Sequence, residues 1–207
     1  MQKSEGFGNP LEITEIDKAW LAGVIEGDGS LMMGFHQQHD RKKNGKRSFA
    51  VKPTINFSNQ DIKLIERVAN LFHGLTGKQP RIRELPGSYE HSREVITLEL
   101  AGMQSVCVVL DALIPYFVGD KLSKARLLQI FIKSRLGKFG PGIHGILPYD
   151  GDELVIIKRF YETTGPRKGG KRNPVIGEIL REQMRDLGAS WGRCAPACME
   201  TCRGWQK

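Results

Sequence analysis

The chain has 207 residues, 40% hydrophobic and 26% charged, with 31 Lys and Arg against 23 Asp and Glu for a net charge of +8. That balance fits a globular protein with a sizeable core, and its longest apolar runs, Val106–Leu110 and Leu154–Ile157, fall far short of a membrane span. The opening Met1–Gly6 has neither a signal-peptide core nor a transit composition, and four cysteines make no disulfide framework, so an intracellular, reducing compartment without a secretion signal is expected.

The first predicted element is a helix over about 15–26, opened by Thr14 with Asp17 three residues on, a capping box with Asp in place of Glu or Gln. It carries Ala19, Gly23 and Gly27 at four-residue spacing, so one stripe is nearly bare backbone. Glycine inside a helix costs roughly 0.5–1 kcal/mol relative to alanine, a cost offset where another helix must approach closely. Two strands follow. Leu31, Met33 and Phe35 alternate with Met32, Gly34 and His36; then Val51, Pro53, Ile55 and Phe57 alternate with Lys52, Thr54 and Asn56. Pro53 places the second strand at a sheet edge or a bulge. The loop between them, 41–47, holds five cations and no acid.

A helix over 60–75 comes next, with Ile62, Ile65, Val68, Ala69 and Phe72 on one face and Gly74 and Gly77 ending it. A second strand pair is expected at Arg81–Arg83 and Val95–Leu100, around the turn residues Pro86-Gly87-Ser88. Two helices, 104–114 (stopped by Pro115) and 123–136, complete an α-β-β-α-β-β-α-α order and an α+β fold class. Beyond Gly137 a Gly/Pro-rich connector leads to helices over 152–163 and 174–187, separated by a second basic window, 166–172, with four cations and no acid. Residues 1–136 read as the core, 137–190 as a helical extension of the same domain and 191–207 as an irregular tail. Without the two basic windows the chain is nearly neutral. A surplus confined to loops points to a polyanion, nucleic acid before a membrane surface.

Leu21-Ala22-Gly23-Val24-Ile25-Glu26-Gly27-Asp28-Gly29 resembles the LAGLIDADG motif of homing endonucleases, with six of nine letters identical. The physical sense of the motif is readable. Two copies of a small-residue helix can pack backbone to backbone on a two-fold axis, with Ala19, Ala22, Gly23, Glu26 and Gly27 at the contact. Asp28 at the helix exit then meets its counterpart, and paired carboxylates call for cations to neutralise them. With one motif per chain, the resemblance implies a homodimer on a near-palindromic double-stranded DNA site. The metal implied is Mg²⁺, with Mn²⁺ able to substitute and Ca²⁺ supporting binding without cleavage, held by Asp28 and the Gly27 carbonyl.

The resemblance extends from Ala19 to Leu136 and implies an αββαββα homing-endonuclease-like core, its antiparallel sheet forming a DNA-binding saddle, plus C-terminal helices. Strand alternation would turn Ser30, Met32, His36 and Gln38 toward DNA, then Lys52, Thr54 and Asn56. Arg81 and Arg83 would flank a buried Ile82, and Arg93, Val95 and Thr97 would flank Ile96 and Leu98. Arg, Gln and Asn suit bidentate contacts to purine edges. The loop cations Arg41, Lys42, Lys43, Lys46 and Arg47 would clamp phosphates. The family pattern matches Asn59 to a polar residue near the attacking water, with Gln60 as rival in a register uncertain by one. It matches Lys63 to a basic residue at the periphery, and Lys121 to a lysine that steadies transition-state charge. The implied activity is double-strand hydrolysis at a long pseudo-palindromic site, as in intron homing. The alternative is an intron-splicing maturase that binds RNA on the same fold, for which neither Asp28 nor Lys121 is needed.

Other constellations carry less. Cys194, Cys198 and Cys202 lack a fourth ligand nearby, the histidines have no metal-ligand spacing, and no Walker loop or dinucleotide fingerprint is present.

Overall fold

The computed structural model describes residues 12–38, 48–85, 95–138, 147–163 and 174–188. Helix α1 (Glu15–Asp28) leads into strands β1 (Gly29–Gln38) and β2 (Ser48–Asn59). Helix α2 (Ile62–Thr76), strands β3 (Arg81–Leu85) and β4 (Val95–Ala101) and helix α3 (Met103–Leu113) come next. A 3-10 turn (Ile114–Tyr116) then precedes helices α4 (Asp120–Lys138), α5 (Gly151–Thr163) and α6 (Pro174–Asp186). The fold is α+β, with a four-stranded sheet in the order β1-β2-β4-β3 in which β4 runs antiparallel to both neighbours. The described residues fall into two compact units, one drawn from 1–32 and 54–125, the other from 33–53 and 126–207.

In the first unit, α1 packs on α2 and α3, and α2 and α3 lie against β4. Leu21 and Ile25 of α1, Ile65, Val68 and Phe72 of α2, Ile55 and Phe57 of β2 and Leu98 of β4 are fully buried. Their burial is the main favourable term in folding, roughly 1.5–3 kcal/mol for each large side chain. The capping box forms as the sequence implies. Thr14 Oγ1 accepts from the Asp17 amide at 3.2 Å, and the Thr14 amide donates back to Asp17 Oδ2 at 3.2 Å. The Thr14 hydroxyl, at 2.6 Å from Asp17 Oδ2, and then the Thr14 amide hold the Asp17 carboxyl below its usual range, against a smaller upward push from burial.

The second unit is built around an ionic cluster. Arg135 of α4 is buried, and its guanidinium donates to the Leu147 and Pro148 carbonyls and to Glu153 Oε2, at 2.8, 3.1 and 3.2 Å. Glu153, also buried, accepts further bonds from Ser134 Oγ and the Asp150 amide. Tyr149 stacks on Phe49 with centroids 5.3 Å apart and accepts from the Val51 amide at 2.8 Å.

Several expectations are corrected. Helix α1 continues two residues further, making Asp28 its last residue, because the Gly29 amide still donates to the Ile25 carbonyl. Gly74 lies inside α2, which ends at Gly77 in the left-handed region, φ 67°. Strand β2 is interior, not an edge; Pro53 is tolerated because the β2–β4 ladder begins only at Thr54. Ile82 is 46% exposed, because β3 closes the sheet and alternation sets a face without supplying cover. Helix α4 begins at Asp120, so Lys121 sits in its first turn instead of ahead of it.

Candidate functional site

The last turn of α1 and the first turn of α4 meet and exchange side chains. Glu26 sends its carboxylate to the loop before α4, accepting from the Val118 and Gly119 amides at 3.1 and 2.6 Å. A Cβ on Gly119 would stand 2.6 Å from Glu26 Oε1, so glycine permits this approach. In return Lys121 Nζ donates to the carbonyls of Ile25 and Glu26 at 2.7 and 2.5 Å, with Gly27 O at 3.4 Å. A cation here meets the last carbonyls of the helix and the negative end of its dipole. Partial burial lowers the Lys121 pKa, the Glu26 and Asp28 carboxylates oppose that shift and Lys124 adds to it. Asp28, the final helical residue, remains exposed beside this cluster.

One face of α1 leads to the same end. Ala19, Gly23 and Gly27 are exposed, and a Cβ on either glycine would meet no atom within 4 Å. The neighbouring Ile16 is 79% exposed. Ala22 does not belong to this stripe. It is fully buried among the chain's own core residues, because the helical period turns it to the side of Leu21 and Ile25. Ala22 therefore cannot lie in an interface between copies.

The face of the sheet turned from the helices carries the predicted polar positions, with exceptions. Ser30, His36, Lys52, Arg81 and Arg83 are exposed, and Met32, Asn56, Val95 and Thr97 half-exposed. Asn56 Nδ2 donates to Met32 Sδ at 3.2 Å, and its Oδ1 is buried without a hydrogen-bond partner among the described residues. Buried carbonyl oxygens are normally partnered, so this one is an exception. Thr54 is corrected: at 7% exposure it is covered by its own chain and offers no surface to a ligand. Alternation continued by one step would also have reached Ser58 and Glu99, which sequence reasoning passed over. The side chain of Gln38 and the whole of Arg41, Lys42, Lys43, Lys46, Arg47 and Arg93 lie outside the described residues, as do both basic windows and the three tail cysteines.

Asn59, half-buried at the end of β2, uses its carboxamide oxygen to accept from the Asp61 amide at 2.9 Å, shaping the turn into α2. Gln60 is exposed at that bend. Lys63 lines a surface depression of about 370 Å³ with Glu12, Asp17 and Arg67, beside the opposite end of α1 from Asp28. The structure thus brings Asp28, Gly27, Glu26 and Lys121 together, and sets Lys63 near the start of that helix.

For a divalent metal the chain offers the Asp28 carboxylate and the Gly27 carbonyl, hard oxygen donors of the kind Mg²⁺ prefers. Among the described residues no group of three or more His, Cys, Asp or Glu converges on one point. The donor type fits; the donor number from one chain is incomplete.

No protein-family model and no curated protein sequence matches the chain. Solved structures do match. The homing endonuclease I-CvuI, in complex with the I-CreI target in the presence of Mg and with the DNA not cleaved, aligns with a TM-score of 0.54 and 18% identity over 85% of this chain and 97% of that one. The group I intron-encoded homing endonuclease I-CeuI bound to DNA aligns with a TM-score of 0.55 and 18% identity, covering 84% and 80% respectively. The archaeal intron-encoded homing endonuclease I-Vdi141I bound to DNA gives 0.52 and 16%, covering 82% and 97%. The chain has the homing-endonuclease fold that its LAGLIDADG-like segment implied.

Proposed function

We propose that the protein is a homodimeric, metal-dependent endonuclease that cuts both strands of a long pseudo-palindromic DNA site, as in intron homing. The observation that carries this reading is the exposed Asp28 at the end of an equally exposed small-residue stripe, with Lys121 fixed over the same helix end. Stacking two such stripes about a two-fold axis brings two Asp28 carboxylates side by side and completes the donor set that one chain lacks. The neighbouring structures that contain DNA, Mg²⁺ or Ca²⁺ support the same partners.

In this reading Asp28 and the Gly27 carbonyl would hold Mg²⁺, which would supply neutralisation of phosphate charge and activation of a water. Lys121 steadies charge developing on the scissile phosphate, an electrostatic role suited to a lysine already held in place. Asn59 or Gln60 orients the attacking water, whereas Lys63, beside the opposite end of α1 from Asp28, takes no part in the site. Ser30, Met32, His36, Lys52, Asn56, Arg81, Arg83, Val95 and Thr97 face the DNA grooves, where base edges are read.

The test is incubation of the purified protein with DNA spanning candidate intron-insertion sites, with Mg²⁺ and with Ca²⁺. Double-strand cleavage with Mg²⁺ and binding alone with Ca²⁺ are expected. A site bound tightly but left intact with Mg²⁺ refutes the nuclease reading, and tight binding of intron RNA alongside that result establishes the maturase instead.

A further inference from the structure

On the sheet face turned from the helices, the strand register sets six polar side chains in two rows. Asn56, Glu99 and Arg81 stand opposite one another, and Ser58, Thr97 and Arg83 form the adjacent row. The Ser58 and Thr97 hydroxyls are bonded at 2.9 Å. Arg81 is the direct neighbour of Glu99 across the ladder. Glu99 Oε2 lies 3.5 Å from a guanidinium nitrogen of Arg83, one row away, with the Arg83 side chain 45% exposed and that of Glu99 20% exposed. Two adjacent arginines on one strand therefore differ: Arg83 is tethered, and Arg81 has no ion-pair partner among the described residues.

We propose that Glu99 is a specificity-determining residue that holds the Arg83 guanidinium to read one guanine in each half of the DNA site; this rests on the DNA-cleaving function proposed above. An untethered arginine on a DNA-binding face goes to any phosphate, which gives affinity without sequence information. A carboxylate beside it offsets that pull and fixes the orientation of the planar fork. The remaining donors stay directed outward, where guanine O6 and N7 accept a bidentate pair. Glu99 also repels phosphates itself, so the pair favours a base edge over the backbone. Arg81 is left as the sequence-independent contact.

This assignment predicts opposite signs for two measurements, which a merely structural role would not produce. Wild type, Glu99→Gln and Arg83→Gln are each used to select sites from a randomised duplex library with Ca²⁺ in place of Mg²⁺. Binding to an unrelated duplex is then titrated with salt. Glu99→Gln is expected to lose about tenfold in discrimination at one position per half-site. Its binding to unrelated DNA strengthens, with a steeper salt dependence. Arg83→Gln loses discrimination at that same position, and the double variant loses no more. A Glu99→Gln profile equal to wild type at every position, or weakened evenly at all of them, overturns the proposal. Should folded wild type select no sequence at all, the endonuclease reading itself fails and this assignment falls with it.

Discussion

Lys121 and Glu26 each secure the helix end to which the other belongs. The Lys121 ammonium donates to the last carbonyls of α1, among them Glu26's own, while the Glu26 carboxylate grips the amides ahead of α4. Replacing Lys121 by Met removes the cation from the helix C-terminus and is expected to lower stability by about 1 kcal/mol, measured by urea unfolding. On the proposed function, the same variant binds DNA and loses cleavage. Cleavage at the wild-type rate would confine Lys121 to holding the helix ends.

Asp28 contributes no contact to the chain's own core, being exposed at the end of α1. Asp28→Asn is therefore expected to leave the thermal midpoint unchanged and DNA affinity in Ca²⁺ close to wild type, while cleavage in Mg²⁺ disappears. A variant that still cuts would move the metal site away from this helix end.

How far the sequence revealed these features depended on their range. The capping box, the bare stripe and the strand alternation are local, so spacing alone disclosed them. The bond from Lys121 to the Glu26 carbonyl joins residues 95 apart in sequence, and no pattern within either helix announces it. Ala22 was misassigned because motif letters do not tell which side of a helix is covered; the buried neighbours Leu21 and Ile25 decide it. Thr54 and Ile82 failed for a related reason, since alternation gives the face of a strand but not its neighbours. No sequence pattern singled out Arg135 and Glu153, 18 residues apart, and only packing shows them buried against each other.

Gly23 separates folding from dimerisation. A Cβ there meets nothing within 4 Å in the single chain. Gly23→Ala should then stabilise the monomer by roughly 0.5–1 kcal/mol through helix propensity. In the proposed dimer the same methyl group blocks close approach of the backbones, and Gly23→Leu blocks it more severely. Sedimentation velocity should show weaker dimerisation for Gly23→Ala and none for Gly23→Leu, with cleavage falling in parallel. A Gly23→Leu monomer that cuts both strands would refute the shared site.

Glu153 is the acceptor around which the second ionic cluster forms, taking bonds from Arg135, Ser134 and the Asp150 amide. Glu153→Gln leaves the Arg135 guanidinium buried without its countercharge, and breaking such a pair costs about 3–5 kcal/mol. Urea unfolding should show this loss. Replacing both partners, Arg135→Met with Glu153→Leu, should recover part of it, because a buried pair exchanged for apolar groups is often neutral. A double variant no more stable than the single one would mean that the bonds from Arg135 to the Leu147 and Pro148 carbonyls matter more than its charge.

The pair that Lys138 makes with Asp150 and Glu153 sets a pH window for stability. Burial pushes the Lys138 pKa down, but its bonds to Asp150 and Glu153 outweigh this and leave it raised. Burial likewise pushes Asp150 up, and the Glu153 amide together with Lys138 brings it below its ordinary value. A lowered carboxyl contributes stability above its unfolded pKa, about 3.9, and loses it as pH falls through the folded value. A raised lysine contributes below its unfolded pKa, about 10.4, and loses it as pH rises through the folded value. Between those limits the contribution is constant, and because both side chains are partly exposed it is screened to about 1 kcal/mol. Lys138→Met should therefore be less stable than wild type by a fixed amount from about pH 5 to 9, with the gap closing below about pH 4. Unfolding curves extended below about pH 4 would contradict the assignment if the gap stayed constant there.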